Sequence, residues 1–172
     1  MPNSPDSQLP VHQAAVAMGS NLGDSYAILE AALKTLAHSP GIILQAQSPI
    51  YQTAAVGPPQ PDYLNACALF STTLEPTAFL ETLLRTEAQF GRVRRERWGP
   101  RLLDLDLLLF DDLILQLPNL QIPHPRMTER AFVLVPLNNI APDWIEPVSQ
   151  KSIAQLVQQV DCSSVRVLSS KF

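Results

Sequence analysis

The chain has 172 residues, of which 46% are hydrophobic and 16% charged. That balance supports one globular unit with a core of its own and excludes a disordered chain. The net charge of −4 excludes a general nucleic-acid binder, so any positive site must be local.

Cys67 and Cys162 are the only cysteines, too far apart for a metal motif and too few for a disulfide framework. A reduced, cytoplasmic setting is the expectation. The opening "MPNSPDSQLP" lacks a basic and an apolar region, so no secretory leader is expected. The best apolar run is broken by Asp104 and Asp106, so no membrane partner is expected either.

Residues 1–11, with three prolines among polar residues, read as a flexible tail, and residues 12–172 as a single domain. Residues 12–21, "HQAAVAMGSN", read as a strand ending near Gly19. Asp24 can cap a helix over 25–38, where Ile28, Leu29, Ala32, Leu33 and Leu36 follow helical spacing. Pro40-Gly41 stops it. Residues 42–53 read as one strand, "AVGPPQP" as a stiff loop, and 62–74 as another strand. That strand has Tyr63, Asn65, Cys67, Leu69 and Ser71 on one face and Leu64, Ala66, Ala68 and Phe70 on the other.

Pro76 suits the first turn of a second helix and Gly91 the residue past its end, with Leu80, Leu83, Leu84 and Phe90 as its expected core face. A strand over 102–110 follows. Residues 122–144 mix prolines with short helical pieces, and a weak helix is expected near 152–160. The order strand, helix, strand, strand, helix, strand is that of an α+β, ferredoxin-like antiparallel sheet with one helical face, plus an irregular C-terminal extension.

The chemistry concentrates in "RVRRERWGPRLLDLD". Five of the nine arginines (Arg92, Arg94, Arg95, Arg97 and Arg101) crowd residues 92–101. Asp104 and Asp106 share one face of the following strand, roughly 6.5–7 Å apart at Cα. Leu103, Leu105, Leu107 and Leu109 are then expected on the opposite, core face. Two neighbouring carboxylates repel unless a cation lies between them. Mg²⁺ takes carboxylate oxygens and keeps positions open for substrate phosphates. Guanidinium groups pair bidentately with phosphate oxygens. A bare "DLD" more often faces water or guards a sheet edge, but beside an arginine loop it becomes a site for a polyphosphate. His124, between two prolines, is more often a structural hydrogen-bonder, though it could donate to a phosphate, with Arg126 and Arg130 nearby in sequence. Tyr63 beside Asn65 suits a flat heterocycle, which needs stacking and edge hydrogen bonds.

With these residues assembled, the chain resembles the 6-hydroxymethyl-7,8-dihydropterin pyrophosphokinase family of folate biosynthesis. The most specific stretch is "GRVRRERWGPRLLDLDLLLF", similar to a family signature R-W-G-P-R-x-L-D-L-D. "YQTAAVGPPQPDYLNA" and "IPHPRMTERAFVLVPL" match two further blocks in order.

The resemblance implies transfer of the β,γ-pyrophosphoryl group of ATP to the pterin hydroxymethyl oxygen, leaving AMP. It implies two Mg²⁺ ions held by Asp104 and Asp106, with ATP as co-substrate. Tyr63 and Phe132 would sandwich the pterin, Asn65 would bond its edge, and main-chain groups from Thr53 to Val56 would contact it. Trp98 would help close the loop over the site. Arg92, Arg101, His124 and Arg130 would contact phosphates, with Glu87 and Arg94 on the ATP side. A monomer without nucleic-acid or membrane partners is expected. Two other classes stay open: a two-metal nucleotidyltransferase that releases pyrophosphate, and a non-catalytic ferredoxin-like module that binds RNA through the arginine loop.

Overall fold

The computed structural model of the chain describes residues 9–55, 57–91 and 102–168. β1 (His12–Ser20) leads into α1 (Ser25–Ala37), whose N-cap Asp24 accepts a hydrogen bond from Ala27 N at 3.2 Å. β2 (Ile42–Gln47), β3 (Tyr51–Thr53) and β4 (Tyr63–Thr72) follow. α2 (Pro76–Gln89) starts with Pro76 in its first turn and ends at Phe90, before Gly91 at φ +76°. β5 (Asp104–Phe110) completes the split β-α-β pattern.

The main sheet runs β10-β3-β4-β1-β5, where β10 is Val165–Val167, and β2 also pairs with β4. Every pairing is antiparallel. β1 and β2 both run against β4, which lies between them, as the ferredoxin-like order requires.

The stretch read as one strand over 42–53 is two. Pro49 has no N–H to donate to a ladder. At the break, Ser48 takes over the edge of β4: its N–H donates to Cys67 O, and its Oγ accepts from Cys67 N, both at 2.9 Å.

α1 and α2 cover one face of the sheet. Leu29, Ala32 and Leu36 of α1, and Phe79 and Leu83 of α2, pack on Val16, Ala68, Phe70, Leu105 and Phe110. Phe79 sits edge-on to Phe70 and to Phe110, with centroids 6.2 and 6.1 Å apart. The core face expected for α2 needs correction. Leu84 is 43% exposed, and the buried stripe is Phe79, Leu83, Thr86 and Glu87. That stripe follows i, i+4, i+7, i+8 spacing. Thr86 is admitted because its hydroxyl donates to Thr82 O at 2.8 Å.

The sheet has two helical faces rather than one. α3 (Ala131–Ile140) and α4 (Ile153–Val157) close the opposite face over Ala15, Cys67 and Leu69. The stretch expected to be irregular also contains two small hairpins, β6–β7 (Leu115–Leu117 with Leu120–Ile122) and β8–β9 (Ile145–Glu146 with Lys151–Ser152). A capping box of Ser152 and Gln155 starts α4. Among the described residues no helix is long and apolar enough to cross a membrane.

The leucine face of β5 also departs from simple alternation. Val16 pairs with Leu107 and Ala15 with Leu109, so Leu108 is the extra residue of a bulge. Leu105, Leu107 and Phe110 face α1 and α2 as a result, while Leu108 and Leu109 pack under α3. Leu109 therefore lies on the aspartates' side, not opposite to it.

Candidate active site

The register places functional side chains in rows across the sheet. Gly19 is opposite Asn65 on one side and Asp104 on the other, and Tyr51 pairs with Asn65. One row along, Ala17 lies between Cys67 and Asp106. Directly opposed residues share a face. Asp104, Asp106, Asn65 and Cys67 thus all stand on the α3 side of the sheet.

β1 contributes only small residues there. A Cβ on Gly19 would stand 3.1 Å from Asn65 Oδ1 and 3.7 Å from Tyr63 Cδ1. The absence of side-chain bulk along β1 opens a trench between β4 and β5. It is the floor of a cavity of about 750 Å³.

The cavity joins most of the described candidates. Thr53, Tyr63 and Asn65 line its β3–β4 end, and Asp104 and Asp106 its β5 end. Phe132 closes it from the start of α3, with the Arg130 guanidinium 5.6 Å from the ring centroid. Asn65 is nearly buried, and its Nδ2 donates to Thr53 Oγ1 at 3.4 Å. Arg126 and Glu129 flank Arg130 along the rim.

The β5 end is tied to the segment after Pro123. His124 N–H donates to Leu108 O at 2.9 Å, and His124 Nδ1 accepts from Arg126 N at 3.2 Å. Burial lowers the His124 pKa, and the Arg130 and Arg126 charges lower it further, against an opposing pull from Asp104. The imidazole is therefore neutral near pH 7 and can donate from one nitrogen only. Beneath Asp106, burial pushes the Cys67 thiol up, and the Asp106 charge acts in the same direction.

The residue expected on the ATP side near the end of α2 is buried. Glu87 is 1% exposed and is not among the cavity-lining residues. Its Oε2 accepts the backbone N–H of Leu105 at 3.1 Å. It therefore braces β5 between the two aspartates from the α2 side. Val56, Arg92, Arg94, Arg95, Arg97, Trp98 and Arg101 lie outside the described residues.

Several lining residues carried no recognised signal in the sequence. Ala17 and Gly19 could have been found from the spacing of small residues on β1. Glu129 had no motif to mark it. Nor did Val160, Asp161 and Ser164, which reach the cavity from the C-terminal segment.

Two carboxylates at one end and the aromatic rings of Tyr63 and Phe132 in the same lining suit a charged polyphosphate beside a heterocycle. Among the described residues no group of three or more His, Cys, Asp or Glu gathers as a self-sufficient metal cage. Two carboxylates do match Mg²⁺ sites completed by substrate phosphates and water.

Comparison with known proteins gives the same picture. The model of the 7,8-dihydro-6-hydroxymethylpterin-pyrophosphokinase family matches residues 15–142. A protein of Synechocystis sp. named 2-amino-4-hydroxy-6-hydroxymethyldihydropteridine pyrophosphokinase is 49% identical over 154 residues, 90% of this chain and 79% of the relative. Its namesake from Haemophilus influenzae is 46% identical over 147 residues, covering 85% of this chain and 91% of the relative. Among solved structures, the wild-type HPPK-DHPS of Plasmodium falciparum with pteroate superposes with a TM-score of 0.71 at 13% identity. It covers 89% of this chain, which spans 43% of that longer chain, and at this identity it supports the fold alone.

Proposed function

Because the chain belongs to the 7,8-dihydro-6-hydroxymethylpterin-pyrophosphokinase family, we propose a division of labour along its cavity for the family's reaction. That reaction transfers the pyrophosphoryl group of ATP to hydroxymethyldihydropterin in folate biosynthesis, giving the pterin diphosphate and AMP. The pterin occupies the β3–β4 end, stacked between Tyr63 and Phe132, with Asn65 and the backbone after Thr53 on its edge. The triphosphate lies over the β5 end. The observation that carries this reading is the pairing, in one cavity, of two same-face carboxylates with the aromatic rings of Tyr63 and Phe132.

Asp104 and Asp106 would hold magnesium, which when bound would neutralise charge on the phosphate oxygens. Arg130 and Arg126 supply further positive charge at the rim, and neutral His124 donates one hydrogen bond to a phosphate oxygen. Arg92 and Arg101 complete the phosphate contacts, Arg94 the nucleotide contacts, and Trp98 the closing loop, each on the strength of the sequence motif.

The pterin hydroxyl oxygen forms a bond to the β-phosphorus. The bond from that phosphorus to the oxygen bridging the α-phosphate breaks, AMP leaves with the electron pair, and the hydroxyl proton passes to water. No covalent enzyme intermediate is needed. Orientation of the two substrates and preorganised charge lower the barrier.

The test is incubation with ATP, Mg²⁺ and 6-hydroxymethyl-7,8-dihydropterin. AMP and the pterin diphosphate are expected in equal amounts. Release of free pyrophosphate with nucleotidylated pterin would instead establish nucleotidyl transfer.

A further inference from the structure

The family model stops at residue 142, yet the cavity does not. Val160, Asp161 and Ser164 form part of its wall. They are placed by β10, whose Val165 pairs with Thr53 and Val167 with Tyr51 on the edge of β3. α4 holds the other side of this segment through buried Ile153 and Leu156. The segment is therefore fixed at both ends against the sheet.

The position within the sheet decides what the segment can bind. β10 and β5 are the two ends of the order β10-β3-β4-β1-β5. Four strand spacings separate them, roughly 19 Å. Asp161 precedes the turn into β10, closed by Val165 N–H donating to Cys162 O at 3.1 Å, so it reaches the cavity from the β10–β3 side. A third carboxylate there would repel a phosphate, but it suits a group rich in N–H donors. A 2-amino-4-oxopyrimidine ring presents such an edge: an exocyclic amino group beside a ring N–H. A carboxylate can accept both bonds side by side.

Asp161 is prepared for that role. Its Oδ1 accepts the Ser163 backbone N–H at 3.0 Å. Bonds from the Ser163 backbone and side chain hold its pKa down, so it is ionised near pH 7. Its remaining lone pairs are available, since a carboxylate offers about four acceptor positions. The other lining carboxylate outside the Asp104–Asp106 pair, Glu129, is flanked by Arg126 and Arg130 on the opposite rim.

Resting on the proposed placement of the pterin, we infer that Asp161 accepts hydrogen bonds from the amino edge of the heterocycle, and that residues 160–164 are a further wall of the acceptor pocket. The C-terminal segment then contributes to acceptor recognition and leaves nucleotide binding to the β5 end.

The experiment is equilibrium titration of the full chain with the pterin and, separately, with a non-hydrolysable ATP analogue and Mg²⁺. Asp161→Asn keeps an acceptor for the Ser163 N–H but loses the charge, and Asp161→Ala loses both. Both changes are at an exposed position, so folding should survive. Pterin affinity should fall roughly tenfold to a hundredfold in Asp161→Ala and less in Asp161→Asn, with the ATP analogue within about twofold. A pterin analogue with hydrogen in place of the 2-amino group keeps only the ring N–H bond, so it should bind the wild type more weakly and lose less affinity than the pterin in both substitutions. Unchanged pterin affinity in Asp161→Ala, or equal weakening of the pterin and its desamino analogue, would overturn the inference. If the wild type makes pterin diphosphate and Asp161→Ala binds pterin normally, the inference alone fails. If the wild type binds no pterin, both this inference and the functional reading fail.

Discussion

On the face under α1 and α2, the central strands carry Val16, Met18, Ala66, Phe70 and Leu105, all buried. On the other face the same strands carry Ala17, Gly19, Asn65, Asp104 and Asp106, which line the cavity. β1, β4 and β5 thus serve packing and chemistry at once, one residue apart. Alternation along a strand makes this division sharp. It means that a substitution can be aimed at one role and leave the other nearly untouched.

The strongest test of that separation is at Asp104 and Asp106. Replacing either with Ala should cut turnover by about a thousandfold or more, the scale of removing a major electrostatic contributor. The melting temperature should stay within a few degrees, because both side chains are only partly buried and line the cavity. Retained Mg²⁺-dependent turnover in both variants would remove the metal-site assignment. Phe79→Ala is the mirror experiment. It leaves the cavity intact but opens a hole between Phe70 and Phe110. A loss of about 3–5 kcal/mol in denaturant unfolding is expected, with KM for both substrates near wild type under folding conditions. A large rise in KM with little loss of stability would show that the two faces are coupled.

Glu87 connects the faces and should give the next largest effect. Its carboxylate reaches from α2 to the Leu105 N–H, between the two aspartates. Glu87→Ala should cost about 1–3 kcal/mol by leaving that donor without its acceptor. Because the loosened strand is the one that carries Asp104 and Asp106, kcat should fall as well, while pterin affinity holds. Wild-type stability in Glu87→Ala would show that the bond contributes little.

The legibility of the sequence follows the same division. Caps and stops around α1 and α2 were readable because Asp24, Pro76 and Gly91 act through local backbone chemistry. The two faces of β4 were readable because alternation is geometric. The β5 bulge was not: a run of three leucines, Leu107 to Leu109, gives no sign of which one is extra, and the choice is made by pairing with Ala15 and Val16. The bracing role of Glu87 was hidden for a related reason. A glutamate near an arginine loop reads as a surface ligand until its neighbour across the core, the Leu105 N–H, is known. The Asp pair was legible as a constellation with the arginines. Asp161 was not, because its proximity to Thr53 exists only through the β10–β3 pairing. The second helical face was missed because α3 contains Pro136 and follows a proline-rich stretch, which hides its helical period.

The smallest effect expected is a change of slope rather than of magnitude, and it concerns His124 at the junction of rim and core. Its pKa is lowered from the ordinary value of 6.5, first by burial and then by Arg130. Between that ordinary value and the depressed folded one, the unfolded chain binds more protons than the folded chain, so stability rises with pH there. The contribution is fully present above about pH 6.5 and is lost as pH falls through the depressed value. Other groups titrate in the same range, so the informative quantity is the difference between two proteins. His124→Asn keeps a polar side chain near Arg126 N and removes the titration. Unfolding midpoints measured from pH 7.5 down to pH 5 should fall less steeply in the variant than in the parent. Parallel profiles would mean that His124 titrates alike in both states, and that the positive rim formed by Arg126 and Arg130 does not reach it.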